Sequence, residues 1–299
     1  MKFTSTVLVS AGFLAASALS GYAADLAVKA PPAAVPVWVN PILLVNNQIS
    51  IDAIGYNLDY YETTANFPVL DSEKGWQGGL QITGSAMGNL GAVSNVYVLG
   101  QFTWAKGHTD YWAAGGPVTA NTDDAEMKDF DGRIGKGFEV DKGWMLTPYF
   151  GAGYHVWDRD LSNRFGPFGY HEKYQHAYAG GGLLVQWAPT QQLVISANGL
   201  VGSTFDAKMA TSLNGGARIV PSNFDLGSSL IWKAGLSADY ALTQQWHLNA
   251  GFDYTNFRYG ASAVNPQGFL EPDSRTQIWL VKAGFGYSFY APSAVVAKY

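Results

Sequence analysis

Two groups of residues in this 299-residue chain have side chains able to do chemistry if the fold brings them together. The first is Asp129, His155 and His176. A carboxylate that orients an imidazole is the beginning of a general-base arrangement, and two imidazoles with a carboxylate can ligate a metal. The second is Lys233, Asp253 and Lys282. Opposite charges side by side in a narrow interior either fill it or form a charged constriction in a pore. No nucleophile, oxyanion donor, phosphate-binding glycine loop or zinc-spaced histidine pair accompanies either group. The first group therefore reads as a polar network, with the catalytic assignment as the alternative, and the second reads as an internal plug. No enzyme activity, metal or cofactor is expected.

Both groups need β-strands to position them. A tight hairpin at Asp141-Lys142-Gly143 sets Asp129 opposite His155, and across the next, longer connection His176 falls beside His155 with the same parity. A hairpin centred on Thr243 sets Lys233 opposite Asp253, and Lys282 stands on the following strand. Ten segments show the period of two that puts alternate residues on opposite faces. They are about 49–61, 76–87, 96–104, 128–140, 145–157, 175–187, 193–205, 230–242, 246–255 and 276–289. In the first, Ile54, Tyr56, Leu58 and Tyr60 alternate with Gly55, Asn57 and Asp59. In the last, Trp279, Val281, Ala283, Phe285, Tyr287 and Phe289 share one face, opposite Lys282, Gly284, Gly286 and Ser288.

Short connections at 88–95, 141–143, 188–192 and 243–245 alternate with longer ones at 62–75, 106–127, 158–174, 206–229 and 259–275. Short inner turns and long outer loops are the habit of transmembrane barrels. The expected fold is all-β: a closed antiparallel transmembrane β-barrel of about ten strands, with eight or twelve as alternatives. Aromatic residues next to the turns (Trp144, Trp187, Tyr240, Trp246, Phe289) and nearer the loops (Tyr60, Trp76, Trp104, Trp157, Tyr254) predict two interfacial belts. Lys136 shares the parity of outward Phe130, Ile134 and Phe138 and is expected to reach the inner interface with its long side chain.

Composition agrees. The chain has 35 Gly, 10 Trp, 17 Tyr and 16 Phe, only 14% charged residues and no Cys, which excludes disulfides and thiolate chemistry. A net charge of −5 gives no footprint for nucleic acid. Residues 1–23 read as a signal peptide, with Lys2, an apolar run Val7–Leu19 and Gly21-Tyr22-Ala23 as cleavage site. Residues 24–48 read as a proline-rich periplasmic leader, 49–290 as the barrel and 291–299 as a tail.

The leader segment DLAVKAPPAAVPVW resembles the mature start of small α-proteobacterial outer-membrane barrel proteins of the porin-like or opacity-like type, mostly of unassigned activity. The run Thr147 to Asp160 resembles a recurrent segment of such barrels. Lys282, Gly284, Tyr287 and Phe289 resemble the C-terminal assembly signal of outer-membrane proteins. The barrel size is also similar to that of the ten-stranded omptin proteases, but their aspartate pair and Asp-His pair do not stand here in recognisable motifs, so none of their residues is carried over. These resemblances imply a bacterial outer-membrane location. They imply contacts with membrane lipids and, during biogenesis, with the barrel-assembly machinery and periplasmic chaperones. The expected role is structural or surface-interacting, with a largely filled polar lumen. A narrow porin-like channel and an omptin-like surface hydrolase are the alternatives. Outer segments 112–124 and 166–170 are the candidates for contact with an unidentified surface ligand.

Overall fold

The computed structural model describes residues 40–114, 119–161, 170–213, 222–266 and 268–290. The signal peptide, most of the leader, the tail, residues 115–118 of the first candidate loop and residues 166–169 of the second lie outside them. In chain order the elements are a short helix α1 (Pro41–Val45) and strands β1 (Gln48–Thr63), β2 (Asp71–Leu90), β3 (Val93–Ala113) and β4 (Thr119–Lys136). There follow β5 (Phe138–Asp141), β6 (Trp144–Asp160), β7 (Tyr170–Trp187), β8 (Leu193–Leu213) and β9 (Ser222–Asp225). The chain closes with β10 (Leu230–Ala241), β11 (Trp246–Tyr259) and β12 (Asp273–Ser288).

Pairing of β12 with β1 and of β10 with β8 closes an antiparallel barrel of ten strands. The small β5 continues the line of β4 against β6, and β9 extends β8 at the outer end. Closure leaves no barrel edge unpaired. Most strands are longer than expected from the alternation, reaching 21 residues in β3 and β8. Crossing a bilayer takes about 9–11 residues. Much of each expected outer loop is therefore strand that rises above the apolar band.

The outward face carries the apolar residues that the alternation assigns to it: Ile82, Phe130, Ile134, Phe150, Leu236, Phe252, Val281 and Phe285 are all exposed. At the inner end Trp144 stacks on Trp187 at 5.5 Å and Trp246 meets Tyr287 at 5.2 Å. At the outer end Tyr254 lies between Trp232 (4.7 Å) and Trp279 (4.3 Å). Lys136 bends to the inner turn, where its Nζ donates to the Ser94 carbonyl at 2.8 Å. Tyr60 and Trp157 do not join the outer belt; both point inward and are buried. The alternating apolar set of β1 likewise faces in, with Tyr56, Leu58 and Tyr60 at 0–1% exposure. On the outer side of that strand the bulk comes from neighbours: a Cβ at Gly55 would meet Val281 and Trp76.

The last part of the expected leader is built into the barrel. Pro41 is compatible with the first turn of a helix, and the Asn40 side chain caps α1 by accepting from the Ile42 amide at 3.0 Å. Ile42 and Leu44 are buried. Asn46 and Gln186 exchange amide hydrogen bonds at 2.8 and 2.9 Å, Asn47 donates to the Met87 carbonyl at 2.9 Å, and Ser288 donates to the Leu44 carbonyl at 3.0 Å. These bonds tie α1 to β7, β2 and β12 at the inner mouth.

Candidate functional site

The inward residues form successive levels. Just above the middle, Asp129, His155 and His176 stand in one row on β4, β6 and β7, because the register pairs Asp129 with His155 and His155 with His176. Gly143, in the left-handed region at φ 78°, makes the tight turn that sets the first of these pairings. The Asp129 carboxylate lies 2.6 Å from His155 Nδ1, and Tyr56 donates to its other oxygen at 3.3 Å. The two imidazoles stand 5.1 Å apart, Phe257 packs on both rings, and His176 Nδ1 meets the Tyr259 hydroxyl at 2.8 Å. His155 and His176 are 3% and 0% exposed, so this triad is sealed from the outer surface.

One level below, Lys233 and Asp253 both face the lumen, but they are not partners. Lys233 Nζ reaches across to Asp131 at 2.6 Å and to the Tyr178 hydroxyl at 2.9 Å, while Tyr178 also donates to Asp131. Asp253 is held by Lys282 at 2.7 Å, and Lys282 also donates to Gln81 at 3.0 Å. The register explains the exchange. Thr243 Oγ1 accepts from the amides of Gln245 and Trp246, which centres the turn one residue later than expected. Asp253 then falls opposite Gly235 and Lys233 opposite Thr255. A shift of two positions keeps each residue on its face and changes only its neighbour.

A polar chamber of about 180 Å³ runs from the Asp129–His155–His176 row past these pairs and down to α1. Asp52 Oδ1, Asn249 Oδ1 and Gln48 Oε1 line it without a protein hydrogen-bond partner. Its size and free acceptors suit a small group of water molecules. His247 and Asp239 pair at 2.5 Å near its floor. Of the expected assembly residues, Gly284 has inward parity on β12, where it lies close against Ile51 and Asp52 of β1, and Tyr287 and Phe289 point outward.

The outer end is filled by residues outside both expected groups. Arg159, 2% exposed, binds Glu73 at 2.7 Å and Glu172 at 2.5 Å, and its guanidinium lies over the rings of Tyr60, Trp157 and Tyr174 at 5.0–5.5 Å. Tyr174 donates to Glu271 at 2.7 Å, Tyr60 to Glu62 at 2.7 Å and Tyr111 to Asp71 at 3.2 Å. Burial pushes the loop carboxyl Glu271 up to about 8, helped by the nearby Glu172 and opposed by the Tyr174 hydrogen bond. The signal for this cluster was present as inward parity: Arg159 lies four residues beyond His155 on β6. Among the described residues no group of three His, Cys, Asp or Glu side chains is arranged to hold a metal ion.

No protein-family model matches the chain. No curated protein matches it either. Solved structures do. The outer membrane protease OmpT from Escherichia coli aligns with 81% of this chain and 95% of its own, at a TM-score of 0.51 and 9% identity. The attachment invasion locus protein Ail of Yersinia pestis covers 81% and 99%, at 0.30 and 11%. Neisserial surface protein A covers 81% and 97%, at 0.29 and 12%. At such identities the likeness to OmpT is one of fold. The chain has an outer-membrane β-barrel fold.

Proposed function

We propose that this protein is an outer-membrane barrel with a structural or surface-contact role and a closed lumen. The observation that carries the reading is that both mouths are occupied. The helix α1 is hydrogen-bonded into the inner one, and the Arg159 cluster fills the outer one. Between them lies a polar chamber of about 180 Å³, with α1 beneath it and the Arg159 cluster above. The apolar outward wall, its two aromatic levels and the likeness in fold support the membrane location. Within this reading residues 1–23 direct export, and Lys282, Gly284, Tyr287 and Phe289 address the strand β12 end to the assembly machinery. The resemblance of the 25–38 segment to α-proteobacterial barrel proteins belongs to the same proposal.

Single-channel recording in planar bilayers tests it. The full mature chain should insert and give no steady porin-sized current. Stable large currents, abolished or altered by replacing Lys233 or Asp131, would instead establish the narrow-channel reading.

A further inference from the structure

On the outside of the barrel two arginines stand directly opposite each other. Arg258 of β11 is in register with Arg275 of β12, and both have outward parity. Arg258 is exposed and Arg275 partly so. Like charges facing each other across a strand pair repel. The carboxylates on flanking outward positions are engaged elsewhere: Asp59 pairs with Lys74 at 3.0 Å, and Asp273 accepts from the Ala261 amide at 2.9 Å. One terminal nitrogen of Arg275 donates to the Tyr61 hydroxyl at 3.3 Å, the Tyr254 hydroxyl also lies within reach of its guanidinium, and its buried Nε has no protein partner. Two adjacent guanidinium groups thus retain unused donors on the wall of the barrel.

What lies below them indicates the missing acceptor. Four residues down each strand, about 13 Å along the backbone, come Tyr254 and Trp279; Tyr254 packs between Trp279 and Trp232 with the rings tilted, and its hydroxyl reaches back up to Gln277 at 2.9 Å. Cations above and indole rings below are what a lipid molecule meets at the headgroup level and just beneath it. We propose that Arg258 and Arg275, with Tyr61 beside them, form a docking site for the phosphate group of a membrane lipid. Its acyl chains would lie along the Trp232–Tyr254–Trp279 band. Guanidinium groups on neighbouring strands can share the oxygens of one phosphate through paired N–H donors. A phosphomonoester, at about −1.5 to −2 charge near neutral pH, would neutralise the repulsion between them. A free phosphate ion would gain only the charges; a lipid gains the aromatic wall as well. This inference rests on the membrane location proposed above and is independent of whether the lumen conducts.

The test uses the full mature chain reconstituted in phosphatidylcholine vesicles containing traces of dansyl-labelled phosphatidic acid or dansyl-labelled phosphatidylcholine. Energy transfer from the tryptophans reports enrichment of each probe at the barrel wall. The phosphatidic acid probe should be enriched about fivefold or more over the neutral one, the increment expected for even one well-placed cation. R258Q/R275Q should bring the ratio close to one, and R258K/R275K should retain part of it, because charge remains while the paired-donor geometry is lost. Equal enrichment in the parent protein would overturn the proposal, as would a ratio unchanged in R258Q/R275Q. Displacement of the probe by millimolar inorganic phosphate would mean a free-anion site and overturn the lipid assignment. Should the double glutamine variant not fold, R275Q alone and R258K/R275K give the same readout. A heat-modifiable band on gels certifies insertion. A parent chain that never inserts would sink the membrane reading itself, whereas insertion without enrichment would sink only the docking site.

Discussion

The outer and inner halves of the lumen are lined by the same strands yet are filled differently. Above the row of Asp129, His155 and His176 the inward positions are large: Tyr60, Trp157, Arg159, Tyr174 and Tyr259 are each buried to within 2% of full burial. Below it large inward residues such as Tyr97, Tyr149, Tyr178 and Leu200 are buried too, but short ones (Ser50, Ser196, Asn198 and Ser237 on β1, β8 and β10) stand among them and line open space. The outer half is packed around a central arginine, and the polar chamber opens from the row downward, where α1 stoppers it. In a ten-stranded barrel the backbone fixes the bore almost uniformly, so side-chain volume decides locally whether it is full.

The sharpest way to break this comparison is to remove the central cation. Arg159→Met should leave Glu73 and Glu172 as buried carboxylates without their partner. It should destabilise the barrel by roughly 3–5 kcal/mol, read as a lower urea midpoint or loss of heat resistance on gels. A near-neutral result would mean that the outer end is hydrated rather than dry.

Packing should differ in the same sense. Leu58, fully buried on the outer half of β1, should cost about 2–4 kcal/mol when cut to Ala. Ser237→Leu, pointing into the chamber, should change stability by less than about 1.5 kcal/mol, because there is room for the added methyl groups. Equal costs at the two positions, measured in the same unfolding series, would erase the distinction between the halves.

The boundary between the halves is held by Lys233 and Asp131. Neutralising either alone, as K233M or D131N, should cost about 2–3 kcal/mol, and the double variant should cost less than the two added together. Strict additivity in the double-mutant cycle would show that the pair does not couple. The same cycle between Lys233 and Asp253 should show little coupling, since Asp253 is held by Lys282.

The smallest expected effect is a pH dependence confined to the outer end. The Glu271 carboxyl titrates near 8 in the folded chain, above its ordinary value of 4.5, so the folded state keeps a proton that the unfolded chain has already lost. The stabilisation is complete below about pH 4.5 and is lost as pH rises through about 8. Because neighbouring carboxyls share the protonation, a loss on the order of 1 kcal/mol is expected between pH 6 and 9. Glu271→Gln should flatten it, and an unchanged slope in that variant would assign the titration to another group.

Much of this was readable along the chain where contacts are local. The Asp129–His155 neighbours follow from one tight turn, Asp141-Lys142-Gly143, whose glycine sets the register. The inward faces of Lys233, Asp253 and Lys282 follow from parity alone, which survives a register shift of two positions. The partner of Lys233 was not readable, because a turn whose centre moves by a single residue exchanges every cross-strand neighbour. Nor did alternation say which face of β1 was inside: an aromatic set such as Tyr56 and Tyr60 suits lipid or a packed lumen equally well.

The sequence by itself thus determined the period of two and the barrel class, and favoured ten strands over eight or twelve, since these depend on alternation and on turns only a few residues long. Tertiary structure alone decided what meets across the lumen. Glu73 and Arg159 are 86 residues apart and touch only because β12 closes on β1 and the wall curves round to face itself. The same is true of α1, whose amide and carbonyl partners on β2, β7 and β12 exist as one ring only after closure. Each such contact joins strands that are not neighbours, and its geometry is set by the radius and stagger of the closed barrel rather than by any local stretch of chain.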